Sequence, residues 1–174
     1  GVPDSGLSAA MGYAQETGIP YGIGFIKNKY IGRSFIEPTQ AMRENAVRIK
    51  LNVLRSTVEG KRVVMVDDSI VRGTTSRRIV SLLRKFGAKE VHVRSSAPPF
   101  MHPCYFGTDV PSKEQLIATG RNLNQMCEMI GADSLGFLSI ENLKKIIPNA
   151  SCGFCDGCFS GTYPVDVNAD APIK

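Results

Sequence analysis

The chain has 174 residues, 43% of them hydrophobic and 21% charged, with a net charge of +5. That length allows one domain with a real core, and no apolar run approaches the roughly 20 residues that a membrane-crossing helix needs. Trp is absent and no Lys/Arg tract is interleaved with aromatics, which argues against nucleic acid as a partner and leaves a solvated surface or a cluster for an anionic ligand.

Five cysteines, odd in number and unevenly spread, argue against a disulfide framework and fit a reducing, cytoplasmic setting. The sequence opens on GVPDSG, a loop-like stretch with no element before it, and is expected to be a piece of a longer chain.

In chain order, Leu7, Ala10, Met11 and Ala14 recur at helical spacing and predict a helix over 5–16, stopped by Gly18. Residues 20–26 read as a short Gly-rich strand, and KNKYIGRSF at 27–35 as an exposed polar loop. Met42, Ala46, Ile49 and Val53 predict a long helix over 39–57. A strand over 61–66 follows, then an amphipathic helix over 76–86 on Ile79, Leu82, Leu83 and Phe86, ended at Gly87. Residues 90–93 read as a strand.

Ser112-Lys113-Glu114-Gln115 matches a capping box with Leu116 and Ile117 behind it. Asn122 is expected to cap a helix built on Leu123, Met126, Cys127 and Ile130. Residues 135–138 read as a strand or turn, and Leu143, Ile146 and Ile147 as a short helix that Pro148 ends. Strands alternating with helices of this length indicate an α/β fold, a parallel sheet flanked by helices. The expected division is a domain over 1–150 and an irregular, cysteine-containing tail over 151–174.

The stretch VVMVDDSIVRGTT at 63–75 carries the chemistry. Four apolar residues suit a strand covered on both faces. Adjacent carboxylates at its end repel unless a metal ion or hydroxyl donors sit between them. In an open parallel sheet ligands lie outside the carboxyl ends of the strands. A helix start preceded by Gly73, Thr74 and Thr75 then offers amides and hydroxyls to a phosphate. A plain helix-capping turn would account for the threonines but not for the acids. No GxxxxGK[ST] is present, and Lys27 stands where a dinucleotide fingerprint beginning at Gly22 needs its third glycine.

Four hydrophobics, two acids and Gly-Thr-Thr resemble the phosphoribosyl pyrophosphate (PRPP) signature of type I phosphoribosyltransferases. GVPDSGLSAAMGYA, IKNKYIGRSFIEPTQAMRENAVRIKLN, VVMVDDSIVRGTTSRRIV, SSAPPFMHPCYFGTD and CDGCFSGTYP, in that order, resemble the glutamine PRPP amidotransferase family over nearly the whole chain. The resemblance implies the C-terminal synthase portion of such an enzyme, separate from its glutaminase domain and without the strand expected before Val2. It implies transfer of ammonia to PRPP, giving phosphoribosylamine and pyrophosphate, the first step of purine synthesis. Purine nucleotides are implied as feedback inhibitors, and a homo-oligomer as the full-length assembly.

Carried over, Asp67 and Asp68 would hold the ribose hydroxyls and Mg²⁺, with Ser5 as a further metal-site residue. Ser69, Ile70, Val71, Arg72, Gly73, Thr74 and Thr75 would cradle the 5′-phosphate. Loss of pyrophosphate leaves positive charge on the ribose while the metal offsets charge on the leaving oxygens. Neutral ammonia needs no strong general base, so a catalytic histidine is not required. Residues 27–35 resemble the family's flexible loop, with Lys27 and Tyr30 touching pyrophosphate or closing a lid. Arg48 and Lys50 belong either to phosphate contacts or to a solvated helix face.

Cys152, Cys155 and Cys158 form two overlapping CxxC pairs, a spacing that suits an iron–sulfur cluster or, as its rival, zinc. Some members of the resembled family carry a 4Fe-4S cluster. Cys104, Cys155 and Cys158 match three of its ligands, with the fourth expected upstream of this chain and Cys152 left as a spare or substitute thiol. Cys127 reads as a core thiol, His92 as structural, and His102 as a loop histidine or an outer support for Cys104. Two rival functions are a PRPP-binding regulator of the same fold without turnover and a small metal-binding module. The first should add a helix-turn-helix or a strongly basic face, and neither is evident; the second leaves the first 150 residues unexplained.

Overall fold

The computed structural model describes residues 1–28, 51–108, 110, 112–146 and 149–167. Its elements run α1 (Gly6–Thr17), β1 (Phe25–Lys27), β2 (Leu51–Val53), α2 (Arg55–Val58), β3 (Arg62–Asp67), α3 (Thr74–Lys85) and β4 (Glu90–Ser95). A 3₁₀ turn (Lys113–Gln115), α4 (Leu123–Ile130), β5 (Ser134–Phe137), α5 (Ile140–Lys145) and α6 (Gly157–Ser160) complete them.

β3, β4 and β5 hydrogen-bond in that order, all parallel, with Asp67 beside Ser95 and Ser95 beside Phe137 at the carboxyl edge. Each parallel step needs a crossover, and α3 and α4 supply them. Buried and half-buried positions alternate strictly along β4, because successive side chains of a strand point to opposite faces. Val91 and Val93 join Met65, Leu135, Ile79, Leu83, Met126 and Ile130 in one core. Leu83 is fully buried, so Leu83→Ala is expected to cost about 2–5 kcal/mol, read as a lower urea midpoint.

The half-buried positions of β4 carry polar links. His92 Nδ1 lies 2.8 Å from Ser134 Oγ and its Nε2 lies 2.9 Å from Glu90 Oε2, so the histidine is structural, as expected. Arg84 donates to Gly131 O and to Asp133, at 3.1 and 2.9 Å, and ties the end of α3 to the turn after α4. Cys127 packs against the core and donates to Ala132 O at 3.2 Å.

Several expectations need correction. The strand expected over 20–26 is confined to Phe25–Lys27, and it pairs antiparallel with Leu51–Val53. Residues 51–53 are therefore not the continuation of a helix. Leu51 and Val53 are buried around exposed Asn52, a period of two that a pairing partner stabilises and a lone helical turn does not. Residues 112–115 form only a 3₁₀ turn in which no side chain caps the start. β3 is not covered along its whole length: Arg62 is exposed, and burial is complete only from Met65 to Asp67. The tail contains one helical turn, α6, where irregular chain was expected. Tyr30, Arg48 and Lys50 lie outside the described residues. Among the described residues no helix is long and apolar enough to cross a membrane.

Candidate functional site

Residues 67–76, together with Val2, line one open cavity of about 350 Å³. Every residue of the expected PRPP loop, from Asp67 to Thr75, is thus brought to one place. Val2 and Ser76 were not anticipated. Ser76 is buried and had been read only as the first residue of a helix, while Val2 comes into place because its N–H donates to Val66 O at 2.8 Å.

The site is built from the end of β3. Gly6 opens α1 directly against that end, where a Cβ would stand 2.6 Å from Val66 O. Only glycine permits the approach. Asp67 is buried and Asp68 exposed. The backbone of both acids is fixed by Ser96, whose N–H donates to Asp67 O at 2.9 Å and whose hydroxyl donates to Asp68 O at 3.3 Å. Asp67 Oδ1 accepts from Asp68 N–H at 3.0 Å. Burial, then the hydrogen bond and charge of the Asp68 carboxylate, push the Asp67 carboxyl up to about 7. A buried acid so poised gains from a cation that favours its charged form.

The loop then turns at Gly73, whose φ of 74° is left-handed. A Cβ there would stand 2.4 Å from Ile117 Cδ1, so both conformation and space require glycine. Ile117 N–H in turn donates to Val71 O at 2.9 Å. α3 starts at Thr74 and no side chain caps it. Its first amides therefore have no partner inside the helix and stand at the positive end of its dipole.

Ser5 is exposed, immediately before Gly6, and does not line the cavity. Lys27 ends β1 and forms an ion pair with Asp4, two residues from Val2. Neither Lys27 nor Asp4 lines the cavity. The structure therefore brings together Asp67 through Thr75, and Ser5 and Lys27 are not among the residues that line the cavity.

The expected thiol ligands form a second group. Cys104 and Cys158 pack against the small cluster of Phe100, Val110 and Leu116, while Cys155 and Cys152 are exposed. Burial, followed by the nearby Cys104 and then Cys155, pushes the Cys158 thiol up to about 11. Burial also acts on Cys104, but the amides of Gly107, Phe106 and Thr108 outweigh it and bring that thiol down to about 7. His102 lies against Gly161, where a Cβ would meet Nε2 at 2.9 Å. Among the described residues, no three His, Cys, Asp or Glu side chains are gathered closely enough to hold a single metal ion.

A family model described as the phosphoribosyl transferase domain matches residues 1–97. The chain belongs to that family. It is 57% identical, over 99% of its length, to the amidophosphoribosyltransferase of Bacillus subtilis, and 54% identical, over 95%, to that of Archaeoglobus fulgidus. A solved structure of the Bacillus subtilis glutamine PRPP amidotransferase, complexed with ADP and GMP, superposes with a TM-score of 0.84 at 56% identity over 98% of this chain. The chain spans 37% of both sequence relatives and 38% of that solved chain. The expected α/β fold of the phosphoribosyl transferases, a parallel sheet flanked by helices, is the one observed.

Proposed function

We propose that the chain is the phosphoribosyl-transfer portion of an amidophosphoribosyltransferase. It joins ammonia to PRPP, giving 5-phosphoribosylamine and pyrophosphate, the first step of de novo purine synthesis. The observation that carries this reading is the shared cavity formed by residues 67–76: an acid pair at the sheet edge runs directly into an uncapped helix start. Near-complete coverage by amidophosphoribosyltransferases at over 50% identity supports the choice of nucleophile.

In this reading the amides and hydroxyls of Ser69 through Thr75 bind the 5′-phosphate, with the start of α3 supplying favourable field. Asp67 and Asp68 hold the ribose hydroxyls and orient the anomeric carbon. The acid pair fits Mg²⁺, which is commonly held by one or two carboxylates plus substrate phosphates; when bound it offsets charge on the departing pyrophosphate. Ser5 would assist at the metal's margin. Lys27 would exchange Asp4 for pyrophosphate, with Tyr30 as its companion over the site. Ammonia attacks as a neutral amine, so these residues need only position and stabilise.

In the longer protein a glutaminase domain would supply the ammonia, and the working form would be a cytoplasmic homo-oligomer. Purine nucleotides would bind as inhibitors, consistent with the ADP and GMP held by the relative. Cys104, Cys155 and Cys158 would be three ligands of a 4Fe-4S cluster. The fourth is Cys152 or a residue of the longer protein. Cys158 lies near enough to Cys104 and Cys155 to feel their charge, which supports a shared site for the three thiols.

Calorimetric titration of PRPP into the chain, with and without Mg²⁺, tests the site, and an assay of ammonia-dependent pyrophosphate release tests the chemistry. Metal-dependent binding that Asp68→Asn weakens by about tenfold or more is expected. A folded sample that binds no PRPP and releases no pyrophosphate would sink the reading.

A further inference from the structure

Two stretches distant in sequence meet at the thiol site, and one side chain is built into both. The phenol of Tyr163 donates to Pro103 O at 2.7 Å, immediately before Cys104. Its ring meets Tyr105, immediately after Cys104, edge-on at 5.1 Å between centroids and 76° between planes. The same ring fills the space over Gly157, where a Cβ would stand 2.4 Å from Tyr163 Cδ1. Tyr163 therefore touches both neighbours of Cys104 and the residue preceding Cys158.

Other contacts join the two stretches beside Tyr163. Cys158 O accepts from Met101 and His102 N–H at 2.9 and 3.0 Å, and Phe159 meets Phe100 at 4.9 Å. These fix the α6 turn against residues 100–102 but stop short of Cys104. Within its own loop, Cys104 N–H donates to Val110 O at 3.3 Å and its sulfur accepts from Thr108 N–H at 3.4 Å; these contacts do not reach α6. Cys104 and Cys158 share the cluster of Phe100, Val110 and Leu116, and Tyr163 adds a direct tie between their two segments. An aromatic ring with two contact faces and a satisfied hydroxyl does this at low conformational-entropy cost.

We propose that Tyr163 is the positioning residue of the thiol site, clamping the Cys104 segment to the Cys155–Cys158 turn so that the three sulfurs are held ready for an iron–sulfur cluster. The clamp is a property of the chain before any metal arrives; its purpose rests on the cluster reading given above.

The test uses the chain with Cys127→Ser and Cys152→Ser, leaving only the three thiols, and the bifunctional thiol reagent dibromobimane. This reagent fluoresces fully only when it bridges two sulfurs, and mass spectrometry identifies the bridged peptides. A Cys104–Cys158 bridge is expected in this background. Tyr163→Leu should lower its yield about fivefold, on the order expected for losing a hydrogen bond and a ring contact together. Tyr163→Phe, which keeps the ring and loses only the bond to Pro103, should fall between. Circular dichroism checks that each variant is folded. Equal yields with and without the tyrosine ring, or no Cys104–Cys158 bridge in the background chain, would overturn the clamp. Reconstitution with iron and sulfide is read separately: bridging thiols that take up no cluster would refute the cluster reading and leave the clamp standing.

Discussion

In metal-free buffer at neutral pH, the Asp67→Asn variant should unfold at a higher temperature than the parent chain. The folded Asp67 carboxyl is pushed up to about 7 from its ordinary 3.8, so between those values the native state holds a proton that the unfolded state has released. Stability then falls as pH rises. The contribution is fully present below the unfolded value and is lost as pH climbs toward the folded one. At about 1.4 kcal/mol per pH unit the full penalty is roughly 4–5 kcal/mol. An asparagine carries its own cost of burial, so the net gain should be about 1–2 kcal/mol, or several degrees in Tm. Plotted against pH, the difference between parent and variant should open between about 4 and 7 and stay level above. With Mg²⁺ and PRPP present it should close or reverse, because a cation stabilises the ionised acid and cannot repay the amide. A variant that melts lower than the parent at every pH would show that Asp67 is not held against its preferred charge state. Thermal melts across pH, with and without the two ligands, are the measurement.

Gly73→Ala should lose PRPP binding and destabilise the fold by roughly 2–4 kcal/mol. Two costs add. An alanine at a φ of 74° is strained, by about 1–2 kcal/mol. Its Cβ would also stand 2.4 Å from Ile117 Cδ1. Ile117 is 3% exposed, so its chain end can turn aside only by displacing the atoms packed around it. The two costs can be separated. Adding Ile117→Ala relieves the collision but not the backbone strain, so in the double variant the substitution at 73 should cost only about 1–2 kcal/mol. Urea midpoints give the stability arm of this cycle, and calorimetry with PRPP the binding arm. Independent, additive effects would mean that the two residues do not meet.

The fold and the loop were legible for the same reason: in both, local signals and tertiary demands agree. The Asn122–Gln125 capping box forms in full, with each side chain bonded to the other residue's amide. β3 running into Asp67 and Asp68 follows from an apolar run ending in charge. Where the two levels conflict, local pattern misleads. Ser112 and Gln115 carry the letters of the same capping box, yet Leu116 and Ile117 are drawn into the interior at 1% and 3% exposure, and Ile117 bonds to Val71. The chain leaves after a single 3₁₀ turn. Leu51 and Val53 fit a helical spacing or an alternating one equally well over so short a span, and only pairing with Phe25 and Lys27 decides for the strand. Val2 reaches the cavity through one backbone bond to Val66, for which a side-chain pattern has no sign. Tyr163 shows the same limit at the thiols, since nothing in its own neighbourhood names Pro103 as its partner.

That partner lies 60 residues back along the chain, and the separation orders how the molecule is assembled. β3 joins β4 through the single helix α3, a short span that is inexpensive to close. The tie at the thiol site instead closes over a longer span, from residue 163 back to residue 103. In a chain made from its N-terminus, the residues that wall the cavity at Asp67 are all present before Tyr163 is synthesised. Until the Tyr163 phenol closes on Pro103 O, the segments that carry Cys104 and Cys158 lack one of the ties between them.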